Sequence, residues 1–543
     1  MIIKDIKIKN LKCFGNSGKE ISFHVPDGKT LGSGLNILVG KNNSGKSTLF
    51  EAIDFLRNSI SSTVNISDIK NNKNSGEEIE VEMTFSDGIT EVIDNFSQDN
   101  KKDTFKKYIY KENDIEHIKI IRSSSNLKEV KFWDNTKSEF KNETGIDAPM
   151  KKLFELNFVW ADTNPNDAVK FGATTICGNL LKEIVEDFEE TDEYKGFKKN
   201  FHSTFNDEKT GLKAKLKEIE EKTQKIFLEQ FGEAKISFHF DEPKVDSFFK
   251  NTKIKVHDGE ETFMEEKGTG MQRSVALALL QVYAEKLSEN KDNGKVLKPV
   301  YLFIDEPEVC LHPQAQKKLL NALLEISKSR QVFVSTHSPY FIEPSLIGNV
   351  LRFKNSKGIE VFADTKQELK EMKENRVFFF HHRDIFFSDK AIFLEGVTDI
   401  ERLSLYCESN NLGELIEDLY FLGGCKDAEL FKKLCGIFDI KSCFIFDVDY
   451  INSDLAKHLK TGEKQDKEWH RKNFNTYKTD FETKRTELQK ENIFLLSRPD
   501  IMDFLNEKGE AFDGNNSKGV TVTGTEAEKK TEIDLILNSV KSI

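Results

Sequence analysis

LNILVGKNNSGKSTLFEAIDFL, residues 35–56, is the stretch on which the fold turns. Residues 35–39 are an apolar run of strand length, and the segment after the glycine loop carries apolar residues at 49, 50, 53 and 56, a helical spacing. Between them stands Gly40-x-x-x-x-Gly45-Lys46-Ser47. Strand, glycine loop and helix in this order make the setting that a phosphate-binding loop needs. Gly40 and Gly45 let backbone amides converge on phosphate, with Asn42, Asn43 and Ser44 completing the loop. Lys46 is expected to hold the β- and γ-phosphates of ATP or dATP, and the Ser47 hydroxyl to hold Mg²⁺. The helix N-terminus, with Thr48 on its first turn, adds anion affinity.

Three downstream segments belong with this loop. VYLFIDEPE (300–308) reads as an apolar strand ending in Asp305-Glu306. Asp305 would orient the Mg²⁺ shell and Glu306 would polarise the attacking water. QVFVSTHSP (331–339) reads as a second buried strand ending at His337, one helix later, where a γ-phosphate sensor belongs. KGTGMQRS (267–274) opens a helix, and Gly268, Gly270 and Gln272 there form a candidate anion nest.

This combination resembles the ABC-class heads of the RecF, SMC and OLD (overcoming lysogenization defect) ATPases, and DEPEVCLHPQAQ and STHSP are especially close to the RecF/OLD branch. The resemblance covers roughly residues 1–385. It implies two heads facing each other, the segment 268–274 of one closing over the nucleotide of the other, and hence a homodimer or higher even oligomer. The expected Q-loop glutamine is missing from FVWADTNP (158–165), where Asp162 or Asn164 would substitute.

Residues 178–232 read as a helical insertion. Leu180, Leu181, Ile184, Val185 and Phe188 share one face, and Leu212, Leu216, Ile219, Thr223 and Ile226 recur at alternating spacings of four and three. The pattern fits a short dimerisation element or an amphipathic hairpin lying on its own lobe.

A second site follows. In AIFLEGVTDIERLSLYCES (391–409) a short strand ends at Glu395, Gly396 turns, Thr398 is placed to cap a helix, and Asp399 lies four residues after Glu395. YFLGGCKDAELFKKL gives a strand, the Gly423-Gly424 turn and a helix. SCFIFDVDY (442–450) reads as a buried strand ending in Asp447 and Asp449, which would point to the same side. These carboxylates would meet Glu395 across adjacent strand ends, where open α/β sheets bind ligands. Converging carboxylates repel one another, and Mg²⁺ or Mn²⁺ resolves the repulsion. Such a cluster can position water for phosphodiester cleavage.

Glu-Gly-x-x-Asp, a Gly-Gly turn and Asp-x-Asp resemble the TOPRIM fold of topoisomerases, primases and OLD nucleases, over about residues 388–510. The resemblance implies Glu395, Asp399, Asp447 and Asp449 as metal ligands. It adds a later acid, Asp503 ahead of Asp500, and a lysine to steady the scissile phosphate, for which Lys518 is the candidate beside Lys529 and Lys530. An insertion at 457–490 carries ten Lys/Arg against six Asp/Glu, with Trp469, His470, Phe474 and Tyr477 interleaved. It fits a DNA-contacting hairpin or equally a surface hairpin or partner-binding arm.

The whole chain sets bounds. Its 543 residues allow two to four domains, and 37% hydrophobic with 32% charged residues suits a globular protein. No apolar run reaches membrane-spanning length, and MIIKDIKIKN alternates like a strand and not a signal peptide, so a cytoplasmic protein with no membrane partner is expected. Seven scattered cysteines without a C-x-x-C pair point to reduced thiols. A net charge of −12 argues against a nonspecific nucleic-acid coat, while leaving room for a local basic groove.

The expected fold class is α/β: an ABC-type P-loop ATPase head (1–177 and 233–385) with a helical insertion (178–232), then a Rossmann-like TOPRIM domain (386–543). The resemblance implies an ATP-regulated, metal-dependent DNA endonuclease in anti-phage defence, of the Gabija or retron-associated kind. Its partners would be DNA and a regulatory protein or a reverse transcriptase–nucleic-acid complex. A DNA clamp or repair ATPase with a non-cleaving TOPRIM domain, and an effector acting on RNA, tRNA or nucleotides, are the alternatives.

Overall fold

The computed structural model describes residues 1–16, 18, 20–60, 64–160, 191–207, 209, 211–231, 237–238, 240–241, 253–272, 274–276, 278–279, 282, 298–309, 311–355, 359–369, 381–447, 481–497, 501, 504–511, 514–515, 521–522 and 525–543.

The first layer is a seven-stranded antiparallel sheet. Ile2–Lys9 lies between Glu20–Ser22 and Glu80–Ser86, Ile115–Ser123, Lys131–Asp134 and Glu139–Asn142 continue the sheet, and Tyr110–Glu112 pairs with Ile115–Ser123. The register slips between Ile3 and Asp5. That bulge resets the two-residue alternation, so Ile6 and Ile8 face inward as Ile3 does.

The second layer is a six-stranded sheet in the order Ile359–Phe362, Val350–Asn355, Leu35–Val39, Val332–Ser335, Val300–Asp305, Glu155–Val159. Every neighbouring pair is parallel except the first. Leu35–Val39 and Val300–Asp305 are buried at every position, which is why they read as unbroken apolar runs. The helix Lys46–Asn58 fills the space between the two layers, with Leu49, Phe50, Ile53 and Leu56 fully buried. Pro313–Ile326 covers the opposite face, its start capped by His312 with proline in the first turn. The Val332–Ser335 strand stops two residues short of His337, so the expectation of a strand ending at that histidine is corrected.

The third layer is a four-stranded parallel sheet, ordered Leu419–Phe421, Lys390–Leu394, Lys441–Phe446, Ile493–Leu495. Helices Val397–Ser409, Ala428–Ile437 and Glu526–Ser542 flank it. It is not held on a loose tether. One hydrophobic cluster runs from Ile37 and Val334 of the second layer through Ile385 and Phe386 to Phe393 and Phe444 of the third.

Arg352 joins the same two layers by polar contacts. Only 2% exposed, it sits opposite Val39 of the P-loop strand. Its Nε donates to Phe386 O at 3.0 Å, Nη1 to Phe438 O at 2.7 Å and Asp439 O at 3.2 Å, and Nη2 to Ser388 O at 2.7 Å and to the Asp389 carboxylate at 3.2 Å.

In the insertion, Asp192–Phe201 continues through a π-helical turn, and Leu212–Phe231 follows. The latter exposes Leu212, Ile219 and Ile226, one heptad apart. The other predicted stripe, Leu180 to Phe188, lies outside the described residues. Among the described residues Cys13, Cys407, Cys435 and Cys443 are free thiols, and no helix is long and apolar enough to cross a membrane. The architecture is an α/β unit of two sheets carrying the glycine loop, followed by a Rossmann-like parallel sheet.

Candidate functional site

The glycine loop folds as its composition demands. Gly40 and Gly45 adopt φ of 140° and 102°, and Asn43 adopts 61°. A Cβ at Gly40 would sit 2.3 Å from Phe353 O and 2.8 Å from Ser44 Oγ, so only glycine fits. Asn42 to Thr48, together with Glu306 and His337, line a cavity of roughly 740 Å³. Thr48 Oγ1 meets Cys13 Sγ at 3.5 Å at the foot of the helix.

Lys46 reaches across this cavity. Its Nζ donates to Gly40 O at 2.8 Å and Lys41 O at 3.1 Å, and stands 3.0 Å from His337 Nε2. Burial lowers the Lys46 pKa, opposed by the charges of Glu306, Asp305 and Glu308. Burial also lowers the His337 pKa, reinforced by Lys46. The histidine is therefore neutral at pH 7, and its Nε2 accepts from the ammonium.

Ser47 Oγ donates to Asp305 at 3.1 and 3.2 Å, and Ser335 Oγ donates to the same carboxylate. Glu306 follows in a left-handed conformation, φ 45°, fixed by its N–H donating to Ser335 O at 3.0 Å. Its carboxylate lies 3.7 Å from His337 Nε2. A non-glycine residue there is strained by about 1 kcal/mol or more, a cost that recurs at functional sites.

These residues fit a nucleoside triphosphate with Mg²⁺. Ser44 Oγ is buried in the loop with no hydrogen-bond partner, a cost that a bound phosphate oxygen would remove. Ser47 and Asp305 supply the hard oxygen ligands that Mg²⁺ prefers.

Sequence reasoning missed two neighbours. Glu308 accepts from Thr336 Oγ1 at 2.8 Å and from His337 N at 2.5 Å. It stands in the quoted DEPE word, and its spacing from Glu306 was the available signal. Lys41 pairs with Asp389 at 2.5 Å, across the boundary with the third layer, and no local pattern announces that contact.

The 267–274 segment does open a helix. Gln272 is buried, however, and its amide donates to Lys267 O at 2.7 Å and Glu265 O at 3.4 Å, so this side chain braces its own turn. Nothing crowds the Cβ position of Gly268. Ser274 Oγ bonds back to Gly270 O at 2.8 Å.

At the second site, Glu395 stands where the Lys390–Leu394 strand ends. Its carbonyl accepts from Gly423 N at 2.9 Å, and its carboxylate accepts from Asp447 N at 3.0 Å. Three neighbouring strand ends thus converge on this glutamate. Asp399 Oδ2 accepts from Gly396 N at 2.9 Å, closing the first turn of the helix. The helix N-cap is Gly396, which corrects the expectation of capping by Thr398. Asp447 lies one residue beyond the strand, which ends at Phe446, so strand alternation does not govern its direction.

Asp449, Asp503 and Lys518 lie outside the described residues, as does 457–480 of the basic insertion. Among the described residues no three His, Cys, Asp or Glu side chains are grouped to hold a metal ion. Lys529 is fully buried on the first turn of Glu526–Ser542, while Lys530 is exposed. Residues 481–489 are helical, and their basic side chains Lys484 and Arg485 pair with Glu487 and Glu532.

Residues 1–342 match the AAA ATPase domain family, more than half of the chain. The Old nuclease of Escherichia phage P2 is 26% identical over 357 residues, 61% of this chain and 60% of that protein. Endonuclease GajA of Bacillus cereus is 27% identical, over 32% of this chain and 29% of its own. The OLD nuclease of Thermus scotoductus is 24% identical, over 54% and 57% respectively. The chain therefore spans three fifths or less of the length of these relatives. Two solved SMC head domains are each 16% identical. The one bound to the C-winged helix domain of ScpA has a TM-score of 0.39, covering 68% of this chain and 99% of that chain. The one derived from Pyrococcus furiosus has a TM-score of 0.38, covering 69% and 99%.

Proposed function

The chain belongs to the AAA ATPase domain family, and from that premise, with its likeness to the Old, GajA and OLD nucleases, we propose that it is an ATP-regulated, divalent-metal-dependent DNA endonuclease of anti-phage defence. The observation that carries the nuclease half is the 3.0 Å bond from Asp447 N to Glu395 Oε1, which brings two acids 52 positions apart to adjacent ends of one parallel sheet. In this reading the third layer is a TOPRIM domain. Glu395, Asp399 and Asp447, joined by Asp449 and Asp503, hold Mg²⁺ or Mn²⁺, which supplies an activated water and charge neutralisation at the scissile phosphate. Lys518, with Lys529 and Lys530 as the alternatives, takes the role of the phosphate-steadying lysine.

At the first site the loop amides and Lys46 hold the triphosphate, and Ser47 with Asp305 holds Mg²⁺. Glu306 orients water against the γ-phosphate, and His337 senses its presence. A homodimer or higher even oligomer completes each nucleotide site with residues Gly268 and Gly270 of the facing copy. The subtype, Gabija-type or retron-associated, follows the partner: a regulatory protein or a reverse transcriptase–nucleic-acid complex.

The test is cleavage of supercoiled and linear DNA with Mg²⁺ or Mn²⁺, with and without ATP, for wild type, Asp447→Ala and Lys46→Ala. The expected result is cutting that falls by about 10²–10³ in Asp447→Ala, the scale of losing one preorganised charge-stabilising group, and that changes its nucleotide response in Lys46→Ala. Cutting that survives Asp447→Ala would sink the site assignment. Wild type that turns over ATP and binds DNA without cutting it would favour the clamp, and cleavage confined to tRNA would favour the RNA-directed effector.

A further inference from the structure

The segment that carries His337 is irregular. The strand before it ends at Ser335, and the next helical turn begins only at Pro339. Something outside regular structure must therefore hold the imidazole against Lys46. Four polar contacts do so. Thr336 N donates to Leu38 O of the P-loop strand at 3.0 Å. Ser338 N donates to Thr336 Oγ1 at 2.9 Å, and Ser338 Oγ donates to buried Gln316 at 2.6 Å. The fourth contact is bidentate and charged: one carboxylate, Glu308, takes both the Thr336 hydroxyl and the His337 amide.

We infer that Glu308 is a positioning residue for ATP hydrolysis, fixing the His337 backbone so that its imidazole stays within reach of Lys46 and Glu306. The inference rests on the nucleotide-hydrolysing reading of the first site and adds a component to it. Three features support it. The contact falls on His337's own amide, so loss of Glu308 frees the main chain from which the imidazole projects. A carboxylate accepting from a backbone N–H and a hydroxyl makes charge-assisted bonds, roughly twice the strength of neutral ones. Its near neighbour Glu306 approaches the imidazole of the same histidine, 3.7 Å from Nε2. The DEPE word thus supplies one carboxylate to the reacting water and a second to the group that monitors the phosphate.

The alternative is that Glu308 merely stabilises the loop. Steady-state ATP hydrolysis by the full chain separates the two, using Glu308→Ala, Glu308→Gln, His337→Ala and both double variants. Positioning predicts kcat falling about 10–100-fold in Glu308→Ala, the range seen when an outer-shell partner is removed, with KM for ATP within about threefold. Gln retains one acceptor and is expected to recover most of the loss. In the His337→Ala background, removing Glu308 should cost almost nothing more, because the two act as one unit.

Losses that multiply in the double variant would overturn the inference, as would a change confined to KM. If Glu308→Ala fails to fold, Glu308→Leu, which removes both acceptor oxygens while keeping a side chain of similar size, takes its place in the cycle. Wild type that binds but never hydrolyses ATP would remove the underlying reading itself. Hydrolysis with additive losses removes only the role of Glu308.

Discussion

The two candidate sites are built in opposite ways. The nucleotide site grows from one contiguous loop, and its accessories lie at the ends of the next two strands of the same sheet, Val332–Ser335 and Val300–Asp305. Each of Lys46, Ser47, Asp305, Glu306 and His337 already touches another of the five through a side-chain contact of 3.7 Å or less. The carboxylate site is gathered from the ends of separate strands, and in its described part Glu395 holds the backbone amide of Asp447 while Asp399 holds that of Gly396. A loop whose glycines encode its shape is specified locally. A cluster gathered from strand ends depends on register, which many distant contacts set together.

The largest expected effect tests the nucleotide side of that contrast. Glu306→Gln should lower ATP turnover by about 10²–10⁴, the contribution of a general base, while nucleotide binding, read by a fluorescent ATP analogue, stays within a few fold. Binding lost together with turnover would mean that Glu306 is part of the cradle, and the picture of a self-contained loop would fail.

A smaller effect tests whether the two sites share one body. Arg352→Leu leaves the carbonyls of Phe386, Ser388, Phe438 and Asp439 without their guanidinium donors. Each unsatisfied buried group costs about 1–3 kcal/mol, and rearrangement and water should hold the net loss to about 3 kcal/mol. Calorimetry should then show a lowered transition that is still single. Two separated transitions would mean that the layers fold independently and that the comparison is between two domains, not two ends of one core.

The smallest effect concerns the rim of the third sheet. His382 donates from Nε2 to Phe421 O at 2.5 Å, and burial lowers its pKa to about 4. The unfolded chain takes up that proton near pH 6.5, so between the two values it binds more protons than the folded one. Stability therefore rises with pH across this window and is lost on acidification. From pH 7 to pH 5 the loss from this group is about 2 kcal/mol. Denaturant titrations at both pH values should show it in wild type and not in His382→Gln. Equal pH sensitivity in the two would assign the effect elsewhere.

Much of this was readable in the chain. Fully buried strands such as Leu35–Val39 and Val300–Asp305 appear as apolar runs because both faces are covered. The helix after the loop shows its stripe because it packs between two sheets. What escaped reading depended on chain segments far apart in sequence. Strand ends were misjudged at Ser335 and Phe446 because polar residues beyond a strand look like its continuation. Thr398 resembled a cap, but the turn after Glu395 puts Gly396 at the boundary and gives the capping role to Asp399. Arg352 looks like a surface charge in VLRFKN. Only the packing of residues 386–389 and 438–439 against it reveals a buried node.

That arginine bears on how such chains can be recombined. A crossover near residue 385 would join an ATPase half from one ancestor to a downstream half from another. The hybrid inherits a buried cation whose acceptors come from the other parent. It is destabilised unless the incoming backbone presents carbonyls at the positions of Phe386, Ser388, Phe438 and Asp439. Shuffling at the apparent domain seam is thereby penalised, and the two halves are constrained to descend together.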